Sequence, residues 1–346
     1  MDMAEEEVVK KKNPWLRPAL WVLLTPIALF VLVMVLLYVP PVQDFIRRQA
    51  VSVAEEATGM QMAVERIDLR FPLDLVVRGV RVVQPAADSV TASPDTLLTL
   101  GNLSVRVQAW PLLRGRVEVD GVSLEDVSVN SARLLDGMHL EGTLGRFFLR
   151  SHGVDLNRES VILNEVTLED THLRMALADT TTTPPDTTST SVRWKILLHA
   201  LQLKNVSVDL QMPLDSLHLA ARLGEARIDE AEADLGRQAY GWRKFLLTGT
   251  SLAYDSGTPR DTAVAGFDPS HIAVRDVQIG IDSVRYDGRQ MNAVIREFAL
   301  NERSGLSIAS LTGRLTADST LIRVPSLQLT TPHSQIDLTA QTYWEL

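Results

Sequence analysis

The sequence contains no cysteine, and aromatic residues make up only 5% of it. Without cysteine no disulfide framework can hold the chain together, so its stability must come from ordinary burial. No basic cluster interleaved with aromatic residues occurs either, and the formal net charge is −9. Binding to a phosphate backbone needs such a basic footprint, so we expect no nucleic acid among the partners.

Motifs that carry catalytic chemistry are also missing. H-E-x-x-H, the phosphate-cradling G-x-x-x-x-G-K and the nucleophile elbow G-x-S-x-G do not occur. Scattered histidines without ligand spacing are typical of surface positions rather than metal sites. They are His139, His152, His172, His199, His218, His271 and His333. We therefore predict that the protein is not an enzyme and has no catalytic residue, metal or cofactor.

One long uncharged run is present, from Leu20 to Val39. As a helix it would cover about 30 Å, the thickness of the hydrocarbon core of a bilayer. A cleavable signal peptide is the alternative, but its apolar core is shorter, about 7–15 residues, and precedes a small-x-small site. We predict a retained transmembrane anchor over residues 19–39. Its anchor residues are Leu20, Trp21, Leu29, Phe30, Leu36 and Val39.

Basic residues beside the run predict its orientation. Lys10, Lys11, Lys12 and Arg17 precede it and outnumber the two arginines that follow. Such residues stay on the cytoplasmic side. We expect residues 1–18 to be cytoplasmic and the rest of the chain to lie across the membrane, in the periplasm of a two-membrane bacterium.

A short amphipathic segment follows the anchor, over residues 40–59. Val42, Phe45 and Val53 are among its apolar residues at helical spacing, and Gly59 provides a stop. The polar face carries as much acid as base. This favours a helix that caps one end of a β structure over a helix that lies on the outer leaflet.

From Met60 onward the apolar period changes to two, which predicts strands. One phrase keeps returning: a polar or turn-prone residue, a valine, another residue and a second aliphatic. It occurs at residues 79–82, 121–124, 126–129, 165–168, 205–208 and 276–279. Such repetition indicates a strand-pair module with variable loops. Asp126, Asp170 and Asp276 stand beside expected turns, where Asp bonds to local backbone.

Helices after residue 60 are few. We predict one over Ser131–Arg150 and a less distinct one over Val192–Ala200, too few to cover a sheet of about a dozen strands. A long sheet can instead curl, so that its apolar face lines a trough. We therefore predict a mainly β fold, with an elongated, curled, antiparallel sheet that forms an apolar groove.

Residues 179–191, DTTTTPPDTTSTS, are too polar to pack and predict a flexible loop. The loop divides the β-rich region into parts over residues 60–178 and 192–346. The chain stops in a strand-like stretch without a polar capping unit, and repeat arrays need caps. We therefore expect it to be a fragment of a longer protein.

The order of these features resembles the membrane-proximal part of the AsmA-like and TamB family. The residues that carry the resemblance are Pro40–Gln43, Thr58–Gly59, Phe71–Leu73 and Gly79–Val82, after the basic N-terminus and the anchor. The resemblance implies a single-pass protein of the inner membrane with a periplasmic β-groove. It also implies a phospholipid cargo and an outer-membrane barrel partner, met through a C-terminal region that this chain lacks.

Phospholipid transport toward the outer membrane is the function that the resemblance implies. The alternative is a scaffold for outer-membrane protein or autotransporter assembly, without lipid transport. We expect the aliphatic residues of the repeats to line the groove. They are Val80, Val82, Leu103, Val105, Val107, Val117, Val119, Val166, Leu168, Val206, Val208, Val277 and Ile279.

Overall fold

A computed structural model describes residues 39–70, 74–84, 95–108, 119–131, 138–155, 159–177, 193–213, 216–257 and 266–343. The predicted anchor, except Val39, and the predicted loop at 179–191 lie outside these residues, as does Val117. No helix in this described part is long and apolar enough to cross a membrane.

The described residues form a helix, α1 (Pro40–Thr58), and a sheet of fifteen strands. The strands are β1 (Gln61–Arg70), β2 (Asp74–Gln84), β3 (Asp95–Val107), β4 (Val119–Asn130), β5 (Met138–Asp155), β6 (Ser160–Leu177), β7 (Lys195–Met212), β8 (Leu217–Asp234), β9 (Ala239–Asp255), β10 (His271–Tyr286), β11 (Met291–Glu302), β12 (Ser307–Ile308), β13 (Ser310–Ala317), β14 (Leu321–Thr330) and β15 (Gln335–Tyr343). The mainly β prediction is confirmed.

Spatial order follows sequence order from β1 to β15, except that β12 pairs only with β11. Neighbouring strands are antiparallel, but β6 and β7 are parallel. The sheet is open and curled. Apart from the contact of α1 with β1, the main contacts between described elements join neighbouring strands. The sheet is therefore a single layer.

Helix α1 covers the backbone edge of β1. Arg47 Nη1 donates to the carbonyl of Val64 at 3.0 Å, and Glu55 Oε1 accepts from the amide of Met62 at 2.9 Å. These bonds occupy groups of an edge strand that would otherwise be open to pairing. Phe45 and Val53 on the same helix stay exposed. The contact fits the interpretation of a helix that caps the β structure.

A row of unusual backbone crosses the sheet from β2 to β9, and we call it the crease. The paired residues before and after each crease residue place it opposite the crease residue of the neighbouring strand. In order across the sheet they are Gly79, Gly101, Asp126, Gly145, Asp170, Asn205, Gly224 and Gly249. Five of them, at positions 79, 126, 170, 205 and 249, have a positive φ between 50° and 61°.

Sterics explain which residues occupy the crease. A Cβ atom added to Gly101 would lie 2.9 Å from the Cβ of Asp126, and one added to Gly145 would lie 2.8 Å from the Cβ of Asp170. Asp126 and Asp170 therefore each need a glycine opposite them on the antiparallel neighbour. At the parallel pair of strands β6 and β7, both crease residues, Asp170 and Asn205, lie in the left-handed region. Asn205 Nδ2 donates to Asp170 Oδ1 at 2.7 Å.

The two helices predicted after residue 60 are wrong. Residues 138–150 of the first belong to β5, and residues 195–200 of the second belong to β7. In a strand, a left-handed residue shifts the side-chain alternation by one position, so aliphatic residues on one face come three apart at the crease. In β5 the crease residue is Gly145, which lies opposite the left-handed Asp126 and Asp170; Leu144 and Phe147 flank it, and their spacing of three imitates a helix.

Candidate functional site

The candidate site is built from aliphatic side chains that line up across the strands. Directly paired residues on neighbouring strands point to the same side of a sheet. The first such line, row 1, contains eleven apolar residues on eleven consecutive strands. They are Ile67, Val77, Leu103, Leu124, Phe147, Leu168, Leu203, Ala226, Leu247, Ile279 and Phe298.

A second line, row 2, runs beside row 1, two residues further from the crease. It also contains only apolar residues from β1 to β11. They are Leu69, Leu75, Val105, Val122, Leu149, Val166, Leu201, Ile228, Phe245, Ile281 and Ile295. Eleven strands at about 4.8 Å spacing make each row about 50 Å long.

Two further rows lie on the other side of the crease. Row 3 comprises Val64, Val80, Leu100, Val127, Leu144, Thr171, Val206 and Leu223, and row 4 comprises Met62, Val82, Leu98, Val129, Gly142, Leu173, Val208, Ala221, Leu252 and Val274. The one-position shift at the crease brings these rows onto the same side as rows 1 and 2. We call the four rows together the aliphatic face.

Most of the aliphatic face is not fully buried, although Val64, Val82 and Leu100 of rows 3 and 4 are buried. In rows 1 and 2, Ile67 and Ala226 are buried and the other side chains are only half-buried. No large side chain among the described residues is fully buried. A sheet in a sandwich or under helices would bury such residues in a core. Here the apolar side chains remain accessible from one side.

Charged and amide side chains beside the crease form the opposite, polar face. They follow one line from β2 to β8: Arg78, Asn102, Glu125, Arg146, Glu169, Lys204 and Glu225. Asn102 donates to Glu125 at 3.2 Å, and Glu169 is paired with Arg146 at 3.5 Å and with Lys204 at 3.7 Å. This ladder leaves the two faces of the sheet chemically distinct.

The structure places most of the predicted groove residues together. Ten of them lie on the strands that carry the four rows: Val80, Val82, Leu103, Val105, Val166, Leu168, Val206, Val208, Val277 and Ile279. Val277 pairs with Thr250, next to row 3. Val107, the last residue of β3, pairs with Val119, the first residue of β4. Val117 lies outside the described residues.

The crease is the feature that sequence reasoning missed. Asp126, Asp170 and Asp276 were expected beside turns, but they lie inside strands in the left-handed region, with φ of 55°, 52° and 54°. The repeated phrase was the available signal, since Gly79, Asp126, Asn205 and Asp276 each begin one copy of it. At these four of the six copies the first residue therefore marks a kink rather than a turn, whereas Gly121 and Glu165, which begin the other two, have no positive φ.

Other clusters offer less chemistry. No group of three or more potential metal ligands occurs within the described ranges. Asp209 accepts from His218 Nε2 at 3.1 Å, and this hydrogen bond lowers the pKa of Asp209. Both side chains are partly exposed, on strands β7 and β8. The pair ties two strands together, and Asp209 also lines an open cleft with His172 and Arg174.

No protein-family model matches this chain, and no curated protein matches it. The resemblance to the AsmA-like and TamB family therefore rests on the order of features in the sequence.

Proposed function

We propose that the protein is a lipid conduit, in which the aliphatic face holds the acyl chains of phospholipids while they cross an aqueous space. The single observation that carries this proposal is the uncovered aliphatic face, which is continuous over eleven strands in rows 1 and 2. The predicted anchor would hold the β1 end at the inner membrane, and the groove would extend into the periplasm toward the outer membrane.

Energetics favour a surface of this kind. Each CH₂ group that leaves a bilayer for water costs about 0.8 kcal/mol, so two acyl chains cannot cross an aqueous gap unaided. An unbroken apolar row removes most of that cost along its whole length. A surface without deep pockets also lets the chains slide, since no position along rows 1 and 2 binds much more tightly than the next.

The membrane end has features that suit this role. Helix α1 lies against β1, and rows 1 and 2 begin on β1 at Ile67 and Leu69. Phe45 and Val53 are 61% and 55% exposed on α1, so they are free to contact acyl chains at the leaflet surface. A lipid that leaves the leaflet beside α1 would meet the first residues of both rows.

Site-specific photocrosslinking tests the proposal with a matched pair of positions. A photoreactive amino acid replaces either Val166, in row 2, or its neighbour Thr167, which points to the opposite face. The full chain is expressed in a two-membrane bacterium and irradiated, and bound lipid is identified by mass spectrometry. We expect phospholipid adducts at position 166 and few at position 167. Equal labelling at both positions, or none at either, contradicts the conduit.

A second candidate is a scaffold for outer-membrane protein assembly, which would act by pairing a sheet edge with a strand of a client protein. The main contact of β15 among the described elements is with β14, and nearly all of its residues are exposed. Ile336 and Leu338 are 50% and 45% exposed. An open edge strand can pair with an incoming strand of a client protein.

Two sets of substitutions separate the candidates. Val105→Asp and Val166→Asp place charges on the aliphatic face, whereas Ile336→Lys and Leu338→Lys place charges on the edge strand. The conduit predicts that the first set abolishes lipid adducts and that the second leaves them unchanged. Loss of outer-membrane protein assembly with the second set alone, while lipid adducts are unaffected by either, would favour the scaffold.

A further inference from the structure

A second, shorter crease crosses the sheet on strands β7 to β10. Glu230 and Ser283 lie inside β8 and β10 in the left-handed region, with φ of 52° and 55°. The paired residues on either side place His199 opposite Glu230, and Arg243 opposite both left-handed residues. We call these four positions the second crease. As at the crease of β2 to β9, the side-chain alternation shifts there by one position.

Two more rows of the aliphatic face lie beyond the second crease. Row 5 comprises Leu163, Leu198, Ala231, Trp242 and Val284, and row 6 comprises Val161, Ile196, Ala233, Tyr240, Tyr286 and Met291. On strands β6 to β10 each row 5 residue comes three positions from the row 2 residue, so the shift returns it to the same side of the sheet. Burial agrees, since Val284 is buried while its neighbours Ser283 and Arg285 are exposed.

Aromatic residues with a polar tip mark this border of the aliphatic face. Trp242 lies in row 5, Tyr240 and Tyr286 lie in row 6, and Trp194 directly precedes β7. They are four of the six tryptophan and tyrosine residues in the described part of the chain. The rings of Tyr240 and Tyr286 stack with centroids 6.2 Å apart. Such side chains are enriched where acyl chains give way to lipid headgroups.

The two tyrosines are placed to bind a ligand at this border. Tyr240 and Tyr286 are 38% and 36% exposed, and neither hydroxyl has a hydrogen-bond partner among the described residues. Every residue of row 6 lies within one position of the end of its strand. The aliphatic face therefore ends at row 6, and a ligand group just beyond it enters water.

The spacing of the rows matches the length of an acyl chain. Row 6 and row 2 are represented on β9 by Tyr240 and Phe245, five positions and about 17 Å apart along an extended strand. The acyl chains of one leaflet span half of the hydrocarbon core of a bilayer, about 15 Å. A diacyl lipid whose ester groups lie at row 6 therefore has its terminal methyl groups near row 2, and its whole apolar part rests on the aliphatic face.

We propose that Tyr240, Trp242 and Tyr286 bind the glycerol-ester region of a diacyl phospholipid, with its acyl chains laid along the strands toward row 2. The tyrosine hydroxyls donate to ester carbonyl and phosphate oxygens, and the indole of Trp242 packs against the first methylene groups. The proposal rests on the proposed lipid conduit and assigns the orientation of its cargo. Because these donors are uncharged and the acceptor oxygens are common to all phospholipids, the site orients a lipid without selecting its headgroup.

Photoreactive phospholipids test this orientation on the unaltered full chain. One probe carries a diazirine next to the ester group, and the other carries it at the methyl end of the same acyl chain. Each probe is loaded from phosphatidylethanolamine vesicles and irradiated, and the labelled residues of β9 are mapped by mass spectrometry. We expect the ester-end probe to label Tyr240 and Trp242, and the methyl-end probe to label Phe245 and Leu247, which lie in rows 2 and 1 of the same strand.

Removal of the hydroxyls tests the donors. The double variant Tyr240→Phe, Tyr286→Phe keeps both rings, so it should lower ester-end labelling of Trp242 about fivefold, the effect expected for the loss of two uncharged hydrogen bonds. Tyr254→Phe is the matched control, because Tyr254 lies near the other end of β9. It should leave the labelling of Trp242 unchanged.

The outcomes distinguish this proposal from the conduit itself. If both probes label the same residues of the aliphatic face, or label them in the reverse order, the proposed orientation is overturned and the conduit stands. If neither probe labels the aliphatic face on any strand, the conduit is overturned. Unchanged labelling of Trp242 in the double variant overturns the role of the tyrosine hydroxyls as donors.

Discussion

The backbone conformation of a single residue, Asn205, affects a whole strand. It lies in the left-handed region with φ of 50°, and its amide bonds to Asp170 across the only parallel pair of the described sheet. Asn and Asp tolerate this region better than other residues with a Cβ atom, because their short polar side chains bond locally. Glycine and Asn or Asp therefore occupy every position of the crease.

Asn205→Val is expected to destabilise the chain by about 1–3 kcal/mol, because a β-branched residue is strained in the left-handed region. Urea unfolding of the full chain measures the change. Asn102→Val is the matched control, since Asn102 lies one position from the crease on β3 and has no positive φ. A cost at position 205 no larger than that at position 102 would show that the crease conformation is not what constrains this residue.

The stability of the protein is expected to depend on pH through Asp318, in the turn between β13 and β14. The amide of Thr320 donates to the Asp318 carboxylate at 2.9 Å, as does the amide of Leu321, and these bonds lower the pKa of Asp318 below 3.8. A lowered native pKa contributes stability that is fully present above the unfolded value and is lost as the pH falls through the native value.

Asp318→Asn should therefore lower the melting temperature at pH 7, and the difference from the unaltered chain should shrink to nothing in acid below the native pKa. The amide keeps an acceptor oxygen, so the comparison isolates the charge. Asp337→Asn is the control, because Asp337 lies at an exposed position of β15 and its side chain forms no hydrogen bond within the described part. A difference for Asp318→Asn that is constant with pH would contradict this account.

Helix α1 shows, at the scale of elements, how one edge of the sheet is protected. Glu55 is expected to contribute about 1 kcal/mol through its bond to the Met62 amide. Glu55→Ala should reduce stability by that amount and expose the backbone of β1, which size-exclusion chromatography should detect as higher-order assembly. Glu56→Ala, at the exposed neighbouring position, should do neither. Equal behaviour of the two variants would mean that α1 does not protect the edge.

The elements also show how far the sequence could predict the fold. The alternation from Met60 onward predicted strands, and the glycine at position 59 predicted the end of α1, which has φ of 68° there. The helix expected at 131–150 was wrong because the shift at the crease of β5 gives aliphatic residues a helical spacing, whereas residues 195–200 alternate regularly between exposed and half-buried and belong to β7. The parallel pairing of β6 and β7 depends on contacts between distant strands, which no local pattern encodes.

The candidate site was predictable only in part, for a physical reason at the scale of the whole molecule. Aliphatic residues such as Val105 and Val166 could be assigned to one face of a strand from alternation alone. Their alignment in row 2 depends on the register of every intervening strand, because a slip of one residue would turn the whole set to the opposite face.

The continuity of the aliphatic face is a property of the whole molecule, so one charge in the middle of a row should interrupt it. Leu168→Glu places a charge in row 1 on β6, midway along the sheet, whereas Thr167→Glu places it on the opposite face. An acyl chain that passes an unpaired carboxylate loses several kcal/mol, so lipid transfer between donor and acceptor vesicles should fall about tenfold or more with Leu168→Glu alone. Photocrosslinkers locate the block: adducts at Leu75 on β2 should persist, and those at Ile295 on β11 should disappear. Undiminished adducts at both positions would mean that lipids do not travel along the rows.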